Sequence, residues 1–251
     1  MRKFVFGPIL SRRLGRSLGV DLVPHKTCPL DCIYCEAKAT TLLTMERKEY
    51  VPVDEVLAEL KETLEEIETP DFITFSGAGE PTLNSNIGRV IDFVRKNYPE
   101  CKVCLLTNGL LLSDENLQEE LRELDMIIPS LDASNEAEYN YINRPCKGET
   151  LEKLVDGLCS FRKRVPVPMA LEIFIVPDIN DSKESMARFR ELVKRIKPDS
   201  IQLNTLDRGG VIEGLRPAGR EKLEEIAAVL EEIAPVGIFG PVDNPQKPHI
   251  C

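Results

Sequence analysis

The sequence predicts an α/β fold: a parallel sheet, curved or partly closed, built from six strand–helix units. Short apolar runs alternate along the chain with longer amphipathic ones. Several of the short runs, such as Ile73-Thr74-Phe75 and Leu171 to Val176, are nearly continuous in apolar residues, as expected of parallel strands covered by helices. The 251 residues, 42% of them hydrophobic, suit one large domain with right-handed crossovers.

The expected strands are Leu18 to Leu22, Phe72 to Ser76, Val103 to Thr107, Met126 to Leu131, Ala170 to Val176 and Ser200 to Leu206. Apolar residues recur every three or four positions over 53–67, 87–98, 115–124, 151–164, 183–196 and 221–233, which predicts helices there. Asp114 and Thr150 read as N-caps. No linker, repeat or low-complexity tract divides the chain, so residues 1–251 are expected as one domain, with a short N-terminal arm (1–17) and a C-terminal tail (235–251).

The net charge of −10, from 42 acidic and 32 basic residues, gives no general attraction to nucleic-acid phosphates. Eight cysteines in a chain this long do not make a small secreted disulfide scaffold. The opening MRKFVFGPILSRR has too short an apolar run for a signal peptide, and no stretch approaches a membrane span. A reduced, cytoplasmic protein with no membrane partner is expected.

In such folds the working residues gather at the carboxyl ends of the strands. After the first strand comes Cys28-Pro-Leu-Asp-Cys32-Ile-Tyr34-Cys35. Three thiolates this close can hold an iron–sulfur cubane by three irons and leave the fourth open. A zinc site completed by His25 is the competing reading, although no second C-x2-C pair supports it. The second strand ends in Ser76-Gly77-Ala78-Gly79-Glu80-Pro81, where glycines permit close backbone approach and a carboxylate can hold an ammonium group. The third ends in Thr107-Asn108-Gly109 and the fourth in Ser130-Leu131-Asp132. Glu172, Gln202 and Asn204 interrupt apolar strands and need a partner or ligand if they face inward. Cys101, Cys104 and Cys159 read as structural; Cys146 and Cys251, the latter behind His249 in a proline-rich tail, are candidate catalytic thiols.

These segments together resemble the radical S-adenosylmethionine (SAM) superfamily, from residue 7 to about residue 216. The resemblance implies a partial (βα)6 barrel, a [4Fe–4S] cluster on Cys28, Cys32 and Cys35, and SAM as second cofactor. It places Gly77, Gly79 and Glu80 at the SAM amino group, although Ala78 separates the glycines. It places Tyr34, Thr107, Asn108, Ser130 and Asp132 nearby, with Glu172 and Asn204 as further cofactor-binding candidates. Val176-Pro177-Asp178-Ile179-Asn180-Asp181 resembles a family stretch with Asp178 in place of glycine. Gly7 to Val20 resembles a subgroup related to wybutosine (tRNA) enzymes; its Arg12, Arg13 and Arg16 suit an anionic substrate, a pinned loop or a solvated turn. The implied activity is reductive cleavage of SAM to a 5′-deoxyadenosyl radical that takes hydrogen from a substrate, with electrons from a flavodoxin- or ferredoxin-type donor. The charge favours a small molecule or peptide over tRNA. An iron–sulfur electron carrier and a zinc-binding module are the other function classes.

Overall fold

The computed structural model describes residues 2–240 and carries the strands β1 (Val5–Ser11), β2 (Gly15–Val20), β3 (Thr27–Cys28), β4 (Leu42–Leu43), β5 (Phe72–Phe75), β6 (Lys102–Thr107), β7 (Met126–Pro129), β8 (Ala170–Ile175), β9 (Ser200–Thr205) and β10 (Val236–Ile238). The helices are α1 (Val53–Glu66), α2 (Ile87–Asn97), α3 (Glu115–Glu120), α4 (Glu136–Ile142), α5 (Leu151–Arg164), α6 (Lys183–Ile196) and α7 (Arg220–Leu230). One sheet runs β1-β2-β5-β6-β7 and another β10-β9-β8. Parallel bridges Ile127–Met169 and Ser130–Glu172 join them into one curved wall. The wall does not close: β1 and β10 are its two free edges, and a seam lies between them.

The helices form where spacing and caps require. Val53, Val56, Leu60 and Thr63 bury one stripe of α1, and Ile87, Val90, Ile91 and Val94 one stripe of α2. The expected caps are present: Asp114 accepts from Asn116 N and Leu117 N, and Thr150 from Lys153 N.

Strand alternation separates two environments. Val103, Leu105, Ile127, Leu171, Ile173, Ile201 and Leu203 join the main core under the helices. On the inner face, Leu14 packs with Cys104, Ile128 and Ala170. Cys101 and Cys104 thus enter different clusters, as structural cysteines.

The expected N-terminal arm is instead half of a hairpin. β1 pairs antiparallel with β2 and continues the sheet, and the first parallel strand starts at Gly15 rather than Leu18. Glu59 of α1 fastens the chain start by accepting the N–H groups of Lys3, Phe4 and Val5 at 2.7–2.9 Å. Gly19 permits the pairing, because a Cβ there would lie 2.1 Å from the Phe6 ring. Part of the expected tail is also sheet: Val236–Ile238 pairs in parallel with β9 and adds a strand beyond the six. Three residues are too few to show a period, and seven-residue α4 was missed for the same reason. Cys251 and His249 lie outside the described residues.

Candidate active site

The cysteine loop leaves β2 and is held by main-chain bonds on two sides. Lys26 N donates to Ala78 O at 2.6 Å, and Glu80 N donates to Thr27 O at 3.0 Å. Opposite, Asp31 N donates to Asn143 O, Ile33 N to Ile142 O and Cys146 N to Pro29 O, at 2.9–3.0 Å. A third segment backs the loop where Val211 N reaches Ile33 O at 2.8 Å. A Cβ on Gly210 would stand 2.7 Å from that same carbonyl, so only glycine permits the approach.

Cys28, Cys32 and Cys35 are free and partly buried. Each Sγ faces an N–H donor from a different place in the chain. Asn108 Nδ2 lies 3.6 Å from Cys28, Asn143 Nδ2 lies 3.4 Å from Cys32, and Lys26 Nζ lies 3.1 Å from Cys35. Burial pushes the Cys28 thiol up to about 12, and burial, reinforced by Asp132 and Cys28, pushes Cys32 up as well. Thiols desolvated in this way stay protonated unless a metal centre stabilises the thiolates. Three thiolates with an N–H donor each are a donor set that fits an iron–sulfur cluster. His25, the fourth ligand of the alternative Cys3His zinc set, is exposed.

Beside this loop, Gly77 and Gly79 have steric reasons to be glycine. Gly77 has φ +139°, and a Cβ on Gly79 would lie 2.4 Å from Thr27 O. Glu80 is 2% exposed and its carboxylate ties two strand ends together. Oε1 accepts from Thr82 N, Thr82 Oγ1 and Thr107 Oγ1, and Oε2 from Asn108 N, at 2.6–3.1 Å. Desolvation raises its pKa despite these four bonds. Oε2, with one bond, keeps capacity for another donor.

Asp132, 3% exposed, is the second buried carboxylate. It accepts from Tyr34 Oη at 2.5 Å, Asn143 Nδ2 at 2.9 Å and Phe174 N at 3.2 Å, and desolvation pushes it up to about 6. The Tyr34 ring stacks on Phe174, centroids 3.9 Å apart and planes 12° apart. Asn180, fully buried, bonds Asp132 O, Phe174 O and Val176 N, and so staples the ends of β7 and β8. The turn leading to it needs a left-handed residue: Asp178 has φ +67°, a conformation glycine adopts freely and aspartate tolerates.

Glu172 and Asn204 face the barrel interior, but Glu172 is already answered there. Arg13 of the hairpin turn pairs with it and also reaches Gln202 at 3.0 Å, while Asn204 Nδ2 lies 3.4 Å from Glu172. Arg12 reaches Asp207 at 3.4 Å, and Arg16 turns outward to Glu68. Ser130 directly follows the last residue of β7 and is bridged to Glu172. Cys146 flanks the cysteine loop, half-buried, its thiol pushed up by burial.

A family model described as the radical SAM superfamily matches residues 22–190, which include the cysteine loop and both buried carboxylates. The chain belongs to the radical SAM superfamily. Radical SAM proteins are enzymes that use a [4Fe–4S] cluster and S-adenosylmethionine, and this chain is one of them. It is 30% identical over 230 residues to a UPF0026 protein of Methanocaldococcus jannaschii, covering 91% of this chain and 71% of that one. It is 40% identical over 229 residues to a protein of Brachyspira hyodysenteriae named GTPase Obg, but spans only 34% of that protein's length. Among solved folds, a radical SAM methyltransferase from Sphaerobacter thermophilus superposes with a TM-score of 0.73 at 16% identity, over 89% of this chain and 66% of that one. TYW1 with a lysine–pyruvate adduct bound gives 0.63 at 18%, over 87% and 74%. The expected wybutosine-type subgroup is therefore one of several fold neighbours, while the UPF0026 relatives point to a different subfamily.

Sequence reasoning missed Lys26 and Asn143 as partners of this radical SAM site. Asn143 lies three residues before Cys146, and nothing in its spacing signals a bond to Cys32, 111 residues away.

Proposed function

We propose that this radical SAM enzyme holds its cluster on Cys28, Cys32 and Cys35, and that it takes hydrogen from a small-molecule or peptide substrate. The observation that carries this reading is the set of three free thiols, each with its own N–H donor, above the carboxyl ends of the strands. Cys28, Cys32 and Cys35 would hold that cluster, which would supply the one-electron reducing power for cleaving a carbon–sulfur bond of SAM. Gly77 and Gly79 let the backbone pass close to the methionine end, and Glu80 offers its spare Oε2 lone pair to the ammonium. Thr107, Asn108, Ser130 and Asp132 complete the SAM side, and the Tyr34–Phe174 stack gives an apolar wall for the adenine. The electron donor is a flavodoxin or ferredoxin type, and the Cys146 thiol gives a hydrogen atom to the substrate radical, the thiyl radical left behind taking one electron from that donor and a proton from solvent. The protein with its cluster, reduced anaerobically with dithionite and given SAM, should release 5′-deoxyadenosine and methionine. Absence of both from preparations with full iron would overturn the reading.

A further inference from the structure

The seam of the unclosed barrel holds a cavity of 330 Å³, a volume suited to a small molecule. Its walls come from both free edges of the sheet: Phe6 and Leu10 on β1, and Phe239 just after β10. Three arginines line it, Arg12, Arg13 and Arg208, and no carboxylate does. Their partner carboxylates, Asp207, Glu172 and Glu36, stand outside the lining. Ser76 and Asn204 also line it, so the cavity reaches the loop that begins at Gly77 and the inner face of β9.

The arginines are differently committed. Arg13 is held by Glu172 and Gln202 and has its remaining guanidinium N–H groups for the cavity. Arg12 and Arg208 are 52% and 82% exposed and pair with Asp207 at 3.4 Å and Glu36 at 4.0 Å. Exposed pairs of this kind contribute little, so a ligand oxyanion can take over either guanidinium at small cost. Arg208 also ties the cavity to the cysteine loop. Its N–H donates to Glu36 Oε1 at 3.2 Å, and Val211, three residues on, bonds Ile33 between Cys32 and Cys35.

We infer that the seam cavity binds a small amphiphilic anion, with a phosphate or carboxylate on Arg12, Arg13 and Arg208 and an apolar or aromatic body against Phe6, Leu10 and Phe239. This names the substrate class for the activity proposed above and rests on that proposal only for the claim that the ligand is the substrate. Planar guanidinium forks match either oxyanion, and the rings and leucine supply the second half of the recognition.

The test is calorimetric titration of the cluster-loaded protein with phenyl phosphate, phenylacetate, inorganic phosphate and phenol. Phenyl phosphate or phenylacetate should bind at least about ten-fold more tightly than inorganic phosphate or phenol, and whichever is tighter identifies the oxyanion. R12Q/R208Q should weaken that binding about ten-fold or more, with melting temperature confirming the fold. If the double variant does not fold, R208Q at the more exposed position and F6A carry the same test. Equal binding of phenol, or unchanged affinity in the arginine variants, overturns the inference. So does salt-sensitive tRNA binding that the same arginines support. SAM cleavage by the unsubstituted protein is scored separately: its failure with normal phenyl phosphate binding counts against the catalytic reading alone.

Discussion

Lys26 Nζ lies 3.1 Å from Cys35 Sγ, and Lys26 is 2% exposed with no salt bridge to a carboxylate among the described residues. A buried lysine without a carboxylate is costly unless another negative group answers it. The thiolates of the proposed cluster are that group, and the Lys26 charge also bears on Cys28.

Lys26→Met should therefore leave the cluster ligands in place but shift the cluster's reduction potential downward, because a nearby positive charge favours the more negative reduced state. Redox titration followed by electron paramagnetic resonance measures the shift, and Lys26→Arg should restore most of it. A potential equal to that of the parent protein would remove Lys26 from this role.

Cys32→Ala should lose most of the bound iron and the visible charge-transfer absorption while keeping its secondary structure, since two thiolates cannot hold the cubane. Asn143→Ala should keep the iron, because it removes a hydrogen bond and not a ligand. Iron analysis with circular dichroism separates the two, and full iron in the Cys32 variant contradicts the assignment.

Gly79→Ala tests the join between the glycine loop and the cysteine loop. The new methyl would meet Thr27 O, a backbone atom that cannot move without shifting Cys28. Overpacking of this kind costs about 1–3 kcal/mol. SAM affinity, measured by calorimetry on iron-loaded protein, should fall by roughly ten-fold or more. Glu80→Ala should do the same through a different cause, by leaving the donors of Thr82, Thr107 and Asn108 without their acceptor. If SAM binds both variants as tightly as the parent, the loop is not its site.

Glu59 gives a pH dependence whose sign is fixed. Desolvation raises its pKa, but the N–H groups of Lys3, Phe4 and Val5 outweigh it and the net shift is downward. A carboxyl with a depressed folded pKa stabilises the fold above its ordinary value of 4.5, and the contribution disappears as pH falls through the lower folded value. Glu59→Gln should thus melt below the parent from pH 7 down to about 5, and the gap should narrow below 4.5. A gap independent of pH would mean that the charge plays no part.

The sequence by itself determined the six strand–helix units, the caps at Asp114 and Thr150, and the three cysteines, because each of these is a local pattern of spacing. Left-handed Asp178, standing where the family has glycine, was legible as a departure for the same reason. Only the tertiary structure decided what the polar residues on the strands do. Glu172 and Asn204 could face solvent or interior, and the facing follows from strand curvature and from Arg13 arriving from 159 residues away. The same holds for Asn143, whose bond to Cys32 spans 111 residues, and for Lys26, which reaches Cys35 only through the fold of the cysteine loop itself. The hairpin and the short tenth strand, which turn an expected arm and tail into the two walls of the seam, are too brief or too irregular to carry a period. Their place is set by the free sheet edges they extend, and that is a property of the folded wall rather than of any segment.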